Sequence, residues 1–329
     1  MKKLFEALYH HQLLDYTDAK EILIRIAQGD LNASQIASFL TVFMMRGVTV
    51  QELSGFRDAL MELCLPIDFD GIETIDLCGT GGDEKNTFNI STLASFVVAG
   101  AGLHVAKHGN YGVSSVSGSS NVLEHLGYRF KNDQEALRKE LTETGICFMH
   151  APLFHPAMKT VAPIRKELGV KTFFNMLGPM VNPSKPNHQM VGVFSMELAR
   201  MYHYILQQSG MKYSVIYGLD GYDECSLTSG TRLLTDQGEL VVEPEDFGLN
   251  RLHSSEIAGG DSIKENAALF MNVLDNKGSL AQHQVVIANA ALALQCAFDE
   301  PLTTSVACAA ESLSSGKALH VFKKLISLQ

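Results

Sequence analysis

Tryptophan is absent from this chain of 329 residues, and cysteine is sparse at six. The cysteines (Cys64, Cys78, Cys147, Cys225, Cys296, Cys308) are scattered with no Cys-x-x-Cys, which excludes a zinc ribbon or a disulfide scaffold and predicts reduced thiols in a cytoplasmic protein. Glycine at 27 and proline at 9 are too few for a collagen-like or low-complexity chain. Basic residues are in deficit, 26 Lys+Arg against 36 Asp+Glu, for a formal net charge of −10. That balance argues against sequence-tolerant nucleic-acid binding, which depends on neutralising phosphates. It still permits a small basic pocket for one phosphorylated metabolite. No apolar run reaches the roughly 18 residues needed to span a bilayer, and Glu6, His10, His11 and Asp15 break the apolar stretch a signal peptide requires.

What is present is a 46% hydrophobic chain, long enough at roughly 100–200 residues per domain for one large or two modest domains. The first 65 residues read as short amphipathic helices. Leu4, Phe5, Leu8 and Leu13 begin one stripe, and Thr17 caps a second helix ending at Gly29. Asn32 with Gln35, and Thr49 with Glu52, read as capping boxes, with stops at Gly47 and Pro66. From Thr74 the texture becomes short strands alternating with helices: 75–78, 103–106, 146–149, 190–194 and 214–217, then a hairpin around Gln237-Gly238. This predicts a mostly parallel central sheet covered by helices. Helices follow at 264–274, 285–297 and 304–325. The Pro-punctuated stretch 156–186 reads as helix and loop without strand. The domains expected are therefore a helical one over 1–70, joined by about 156–186, and an α/β one over 71–155 and 187–329.

Gly79-Thr80-Gly81-Gly82-Asp83 ends a strand, where open α/β sheets bind ligands. Glycines expose backbone N–H groups, and Asn89-Ile90-Ser91-Thr92 opens a helix whose positive end carries hydroxyls. Together they suit a phosphate or pyrophosphate, although the loop is neither a Walker A nor a Rossmann fingerprint. A second cradle follows the next strand, with Lys107-His108-Gly109-Asn110, then Ser114, Ser115 and Ser117 to Ser120 at another helix start. Asp223-Glu224 follows the strand ending at Tyr217. Oxygen ligands without His or Cys suit Mg²⁺ held partly by substrate phosphates; alone, the pair would read as an exposed acidic turn. His150, His155 and Arg165 form a third group, in which Arg165 offers a planar fork for a carboxylate. Taken alone, Arg165 reads as a surface salt-bridge residue.

These stretches resemble the anthranilate phosphoribosyltransferases. The matching segments are DLCGTGGD (76–83), FNIST (88–92), KHGN (107–110), SSVSG (114–118), Leu123-Glu124, HPAMK (155–159), PIRKELG (163–169), FNMLGP (174–179), DGYDE (220–224) and PEDFGL (244–249), in family order. The resemblance implies a helical N-terminal domain, an α/β domain and a homodimer made through the helical parts. It implies that Gly79, Gly82, Asp83, Thr87, Asn89, Ile90, Ser91, Thr92, Lys107, Ser114, Ser115 and Ser119 bind phosphoribosyl pyrophosphate. Ser91, Asp223 and Glu224 would hold magnesium. Gly79, Asn110 and Arg165 would orient anthranilate, with His108, His155 and Pro179 near its route. No residue is assigned as general acid, base or nucleophile.

The chain departs from the family pattern in one place. Where the family usually continues Lys-His-Gly-Asn-Arg-Ala, Tyr111 and Gly112 stand here; Val116 replaces a frequent Lys, and Ser120-Asn121 replaces Ala-Asp. Fewer cations around the pyrophosphate predict heavier reliance on magnesium and Lys107. Two rivals remain: a pyrimidine nucleoside phosphorylase, which needs no Asp223-Glu224 pair, and a non-catalytic nucleic-acid-binding paralogue, which would carry a basic surface. No nucleic-acid or membrane partner is expected.

Overall fold

Local chemistry sets the helices of the N-terminal region. Asn32 and Thr49 each accept from the backbone N–H three residues on, while Gln35 and Glu52 reach back to the cap, so both capping boxes close. The helices they start span Ala33–Arg46 and Val50–Leu63. The preceding helices span Lys2–Tyr9 and Tyr16–Gln28; the second is capped by Asp15 rather than Thr17. The first stops before Leu13, which lies exposed, so Leu13 does not belong to the apolar stripe.

The computed structural model describes residues 1–112 and 116–329. The chain divides into two compact units: Met1–Ile67 with Ala151–Lys185, and Asp68–His150 with Pro186–Gln329. The excursion into the helical unit thus begins at Ala151, earlier than 156, because the turn Ala151–Phe154 already belongs to it: Leu65 N–H donates to the Phe154 carbonyl at 2.8 Å. In this unit Phe39, Phe43, Phe56 and Phe173 form an aromatic core, with Phe56 stacked on Phe173 at 4.4 Å between centroids. Burying such a ring contributes on the order of 1.5–3 kcal/mol. Glu52 is buried there, paired with Arg46 at 2.6 Å and accepting from Leu14 N–H at 2.9 Å.

The larger unit is built on strands β1 (Ile75–Gly79), β2 (Val105–Gly109), β3 (Ile146–His150), β4 (His188–Gly192), β5 (Lys212–Gly218), β6 (Thr231–Thr235) and β7 (Gly238–Val242). Their order across the sheet is β3-β2-β1-β4-β5-β6-β7. The first five are parallel, and β6 and β7 add an antiparallel hairpin. Strand order reverses at β1/β4, the position where open parallel sheets bind ligands beyond their carboxyl ends. The helix Leu280–Phe298 is apolar on nearly every face and packs against the helix Ile90–Gly100 inside the core. The single C-terminal helix expected over 304–325 is two, Leu302–Ser314 and Lys317–Ser327, broken at Ser315-Gly316.

Candidate active site

The loop after β1 and the loop after β5 meet over the carboxyl ends of the strands. Thr80 N–H donates to the Gly192 carbonyl at 2.9 Å, joining β1 to β4 at the reversal point. Gly81 N–H then donates to Asp223 Oδ2 at 2.7 Å. Space here is tight: a Cβ on Gly79 would strike the Asp223 carboxylate, and one on Gly192 would strike the Asp223 backbone carbonyl. Only glycine at both strand ends lets the acidic loop settle onto the sheet.

Glu224 reaches the neighbouring helix start, where Ser91 N–H donates to its Oε1 at 3.2 Å. Lys107, on β2 and buried, donates to the Leu77 carbonyl and lies 3.4 Å from Ser91 Oγ. Burial raises the Asp223 carboxyl well above its usual range, and the charges of Asp83 and Glu224 push it further. Burial likewise pushes Glu224 up to about 7, against the pull of Lys107 and Ser91. Crowded carboxylates, relieved in part by Lys107, call for a further cation. Among the described residues no three His, Cys, Asp or Glu side chains form a closed metal cage. Mg²⁺ needs none, since it keeps waters and takes one or two carboxylates plus substrate phosphates. Asp223, Glu224 and the Ser91 hydroxyl fit that requirement.

Thr80 Oγ1, Asn89 Oδ1 and Ser117 Oγ are buried without a hydrogen-bond partner among the described residues, all on the two loops expected to cradle phosphate. Asn89 Nδ2 donates to the Ser117 carbonyl at 3.1 Å, tying the first cradle to the second. Thr87 is held from the side by a bridge to Ala258, and Ile90 and Thr92 are buried in the first turn of their helix. Gly82 and Asp83 continue the β1 loop, half-buried. Ser119 opens the short helix Ser119–His125. Ser114 and Ser115 lie outside the described residues.

His108 is buried on β2, its N–H donating to Asp76 Oδ1 at 3.2 Å. Asn110 follows, exposed just beyond the strand. The remaining residues expected near anthranilate belong to the helical unit. Arg165 lies on the helix Met158–Leu168, donating to Asn175 Oδ1 at 3.2 Å, with its guanidinium over the Phe174 ring at 5.2 Å. It makes no ion pair among the described residues, so the salt-bridge reading of this side chain fails. Burial disfavours its charge and pushes its pKa down, a cost that a carboxylate partner would offset. His155 is buried and its Nε2 lies 2.8 Å from the Val181 carbonyl; burial lowers its pKa to about 4. Pro179 is buried in the turn Gly178–Met180.

One positioning residue escaped the sequence reading. Asn289, fully buried in the helix Leu280–Phe298, accepts from Cys225 N–H at 3.0 Å and donates to the Cys225 carbonyl at 2.9 Å. It pins the residue that follows Glu224. The signal available was an asparagine in the middle of the apolar run Val285–Leu294.

A helical bundle unit, a parallel sheet with glycine-lined loops at its switch point, and an acidic pair beside a phosphate cradle define a glycosyltransferase of the phosphoribosyl-transferring class. The pattern of the glycosyl transferase family's a/b domain matches residues 71–319, and that of its helical bundle domain matches residues 2–64. The chain is 57% identical over 328 residues to the anthranilate phosphoribosyltransferase of Flavobacterium psychrophilum, covering 100% of this chain and 99% of the relative. It is 51% identical over 327 residues to that of Cytophaga hutchinsonii, covering 99% and 100%. Among solved structures, the anthranilate phosphoribosyltransferase of Thermus thermophilus matches with a TM-score of 0.92 at 33% identity, covering 98% of each chain. That of Saccharomyces cerevisiae in complex with PRPP and Mg matches with a TM-score of 0.91 at 29% identity, covering 98% of this chain and 96% of that one. The chain belongs to the anthranilate phosphoribosyltransferase family.

Proposed function

We propose that this protein transfers the phosphoribosyl group from phosphoribosyl pyrophosphate to the amine of anthranilate, giving N-(5′-phosphoribosyl)anthranilate and pyrophosphate, the second step of tryptophan biosynthesis from chorismate. The observation that carries this reading is the buried, mutually repelling Asp223–Glu224 pair pinned by the amides of Gly81 and Ser91. A nucleoside phosphorylase has no use for that pair, and the acidic net charge of −10 disfavours a nucleic-acid-binding paralogue.

The chemistry follows from charge. As the bond from ribose C1 to pyrophosphate lengthens, C1 gains cationic character while the leaving group gathers negative charge. Magnesium bound with the substrate would neutralise part of that leaving-group charge. Lys107 and the N–H groups at the start of the Ile90–Gly100 helix act in the same direction from fixed positions. Thr80, Asn89 and Ser117 supply the hydroxyl and amide groups that bind phosphate and ribose oxygens. Asn110 holds the anthranilate carboxylate and so aims the amine at C1, a positioning effect with no covalent intermediate.

Homodimerisation through the helical unit and a cytoplasmic location belong to the same reading. Leu13 and Met45, 62% and 78% exposed on that unit, are apolar surface of the kind a dimer would cover. No described helix is long and apolar enough to cross a membrane. The test is to incubate the purified protein with anthranilate, phosphoribosyl pyrophosphate and Mg²⁺ and follow anthranilate fluorescence. The reading predicts a magnesium-dependent decay; no decay with ligand binding intact refutes it.

A further inference from the structure

Tyr111, which stands where the family pattern carries an arginine, is anchored at both ends. Its hydroxyl donates to Glu124 Oε1 at 2.9 Å, on the helix Ser119–His125. Its ring meets the His150 ring edge-on, with centroids 4.5 Å apart. His150 is a firm support. It is the buried last residue of β3, its Nδ1 lies 2.9 Å from Ser120 Oγ, and Phe130 packs against it at 4.9 Å. An aromatic ring loses little conformational entropy when fixed in this way.

The backbone on either side of Asn110 is held by the same helix start. Ser120 N–H donates to the Asn110 carbonyl at 3.3 Å. Asn121 Oδ1 accepts from Gly112 N–H at 2.9 Å and from Gly118 N–H at 3.0 Å. Asn110 Oδ1 accepts from Tyr111 N–H at 2.8 Å. With that oxygen committed, the carboxamide NH₂ is the end that can donate to a substrate carboxylate. Ser120, Asn121, Gly112 and Tyr111 are residues by which this chain differs from the family pattern, and they form one connected clamp.

We propose that Tyr111 is a positioning residue for the acceptor: anchored on Glu124 and His150, it fixes the Asn110 carboxamide and thereby sets affinity for the aromatic carboxylate substrate rather than for phosphoribosyl pyrophosphate. The inference rests on the role given to Asn110 above. Because the clamp acts equally on bound substrate and transition state, its loss raises KM and leaves kcat nearly unchanged.

The experiment compares Tyr111→Phe, Tyr111→Ala, Glu124→Gln and Asn110→Ala by steady-state kinetics with each substrate varied in turn. Losing one solvent-exposed hydrogen bond, at a net worth of about 0.5–1.5 kcal/mol, corresponds to about a threefold to tenfold change. Tyr111→Phe and Glu124→Gln are therefore expected to raise KM for anthranilate about threefold or more, and Tyr111→Ala about tenfold or more. KM for phosphoribosyl pyrophosphate and kcat stay within about twofold. Glu124→Gln keeps an acceptor oxygen but removes its charge, so it and Tyr111→Phe act on one and the same bond, and the double variant is expected to be no worse than the more affected single. Tyr111 is 40% exposed, so these variants keep the fold, checked by an unchanged melting temperature. If Asn110→Ala raises KM for anthranilate and Tyr111→Ala does not, or if Tyr111→Ala raises both KM values together, the proposal is overturned. If Asn110→Ala itself leaves anthranilate binding unchanged, the role of Asn110 fails first.

Discussion

The amide of Gly81 donates a 2.7 Å hydrogen bond to the carboxylate of Asp223, joining a loop after the first strand to a loop after the fifth. A buried carboxylate with like charges beside it is stable in its ionised form only if N–H groups and a cation compensate it. Asp223→Asn and Glu224→Gln keep the shape and remove the charge. Each is expected to lower kcat/KM by about 10²-fold or more, with the magnesium concentration for half-maximal rate shifted upward. Titration of activity against Mg²⁺ for the three proteins checks this.

Lys107 is the buried cation of the site, in contact with the Leu77 carbonyl and the Ser91 hydroxyl. Because Tyr111 and Val116 are neutral where the family pattern is basic, its charge has little support nearby. Lys107→Ala should weaken phosphoribosyl pyrophosphate binding by about tenfold or more. Calorimetric titration with the magnesium complex measures it; affinity insensitive to the change would sink the idea that this chain leans on Lys107.

Asn289 shows why part of the site was hidden in the sequence. The strands, the two capping boxes and the glycine loop were legible because each is written in residues close together: Thr49 with Glu52, Gly79 through Asp83. Asp223-Glu224 was legible as a pair, but only folding shows that both side chains are buried. Asn289 acts across 64 residues on Cys225, and no local pattern links them. Leu13 misled in the opposite direction: it fits a helical spacing, yet the helix ends at Tyr9 and leaves it exposed. Pattern marks which residues are apolar, whereas termination depends on which backbone groups find partners.

The same asparagine yields a stability prediction. Asn289→Ala strands the N–H and the carbonyl of Cys225 in the core, at about 1–3 kcal/mol for each unsatisfied group. Denaturant unfolding should show a loss on the order of 2–6 kcal/mol. A change below about 0.5 kcal/mol would mean that water or another group replaces the carboxamide.

His155 supplies a pH dependence with a definite sign. Burial lowers its pKa to about 4, despite carbonyl partners at Val181 and Leu60 that pull the other way. An unfolded histidine titrates near 6.5, so between these values the unfolded chain binds a proton that the folded chain refuses. Stability therefore falls as pH drops from about 6.5 toward 4 and is unaffected by this group above that range. At pH 5 the contribution is about 2 kcal/mol. Unfolding of the wild type and of His155→Gln at about pH 7.5 and pH 5 should differ by roughly that amount in their pH sensitivity, the variant being the flatter.

On the function proposed above, anthranilate, and not phosphate or water, takes the phosphoribosyl group at the site built around Asp223, Glu224 and Lys107. The most direct measurement is the stoichiometry of a single turnover, with pyrophosphate and N-(5′-phosphoribosyl)anthranilate quantified together. Equal amounts of the two are expected, formed only when anthranilate, phosphoribosyl pyrophosphate and Mg²⁺ are all present. Pyrophosphate released without anthranilate, or cleavage of a pyrimidine nucleoside by phosphate in its place, would contradict it.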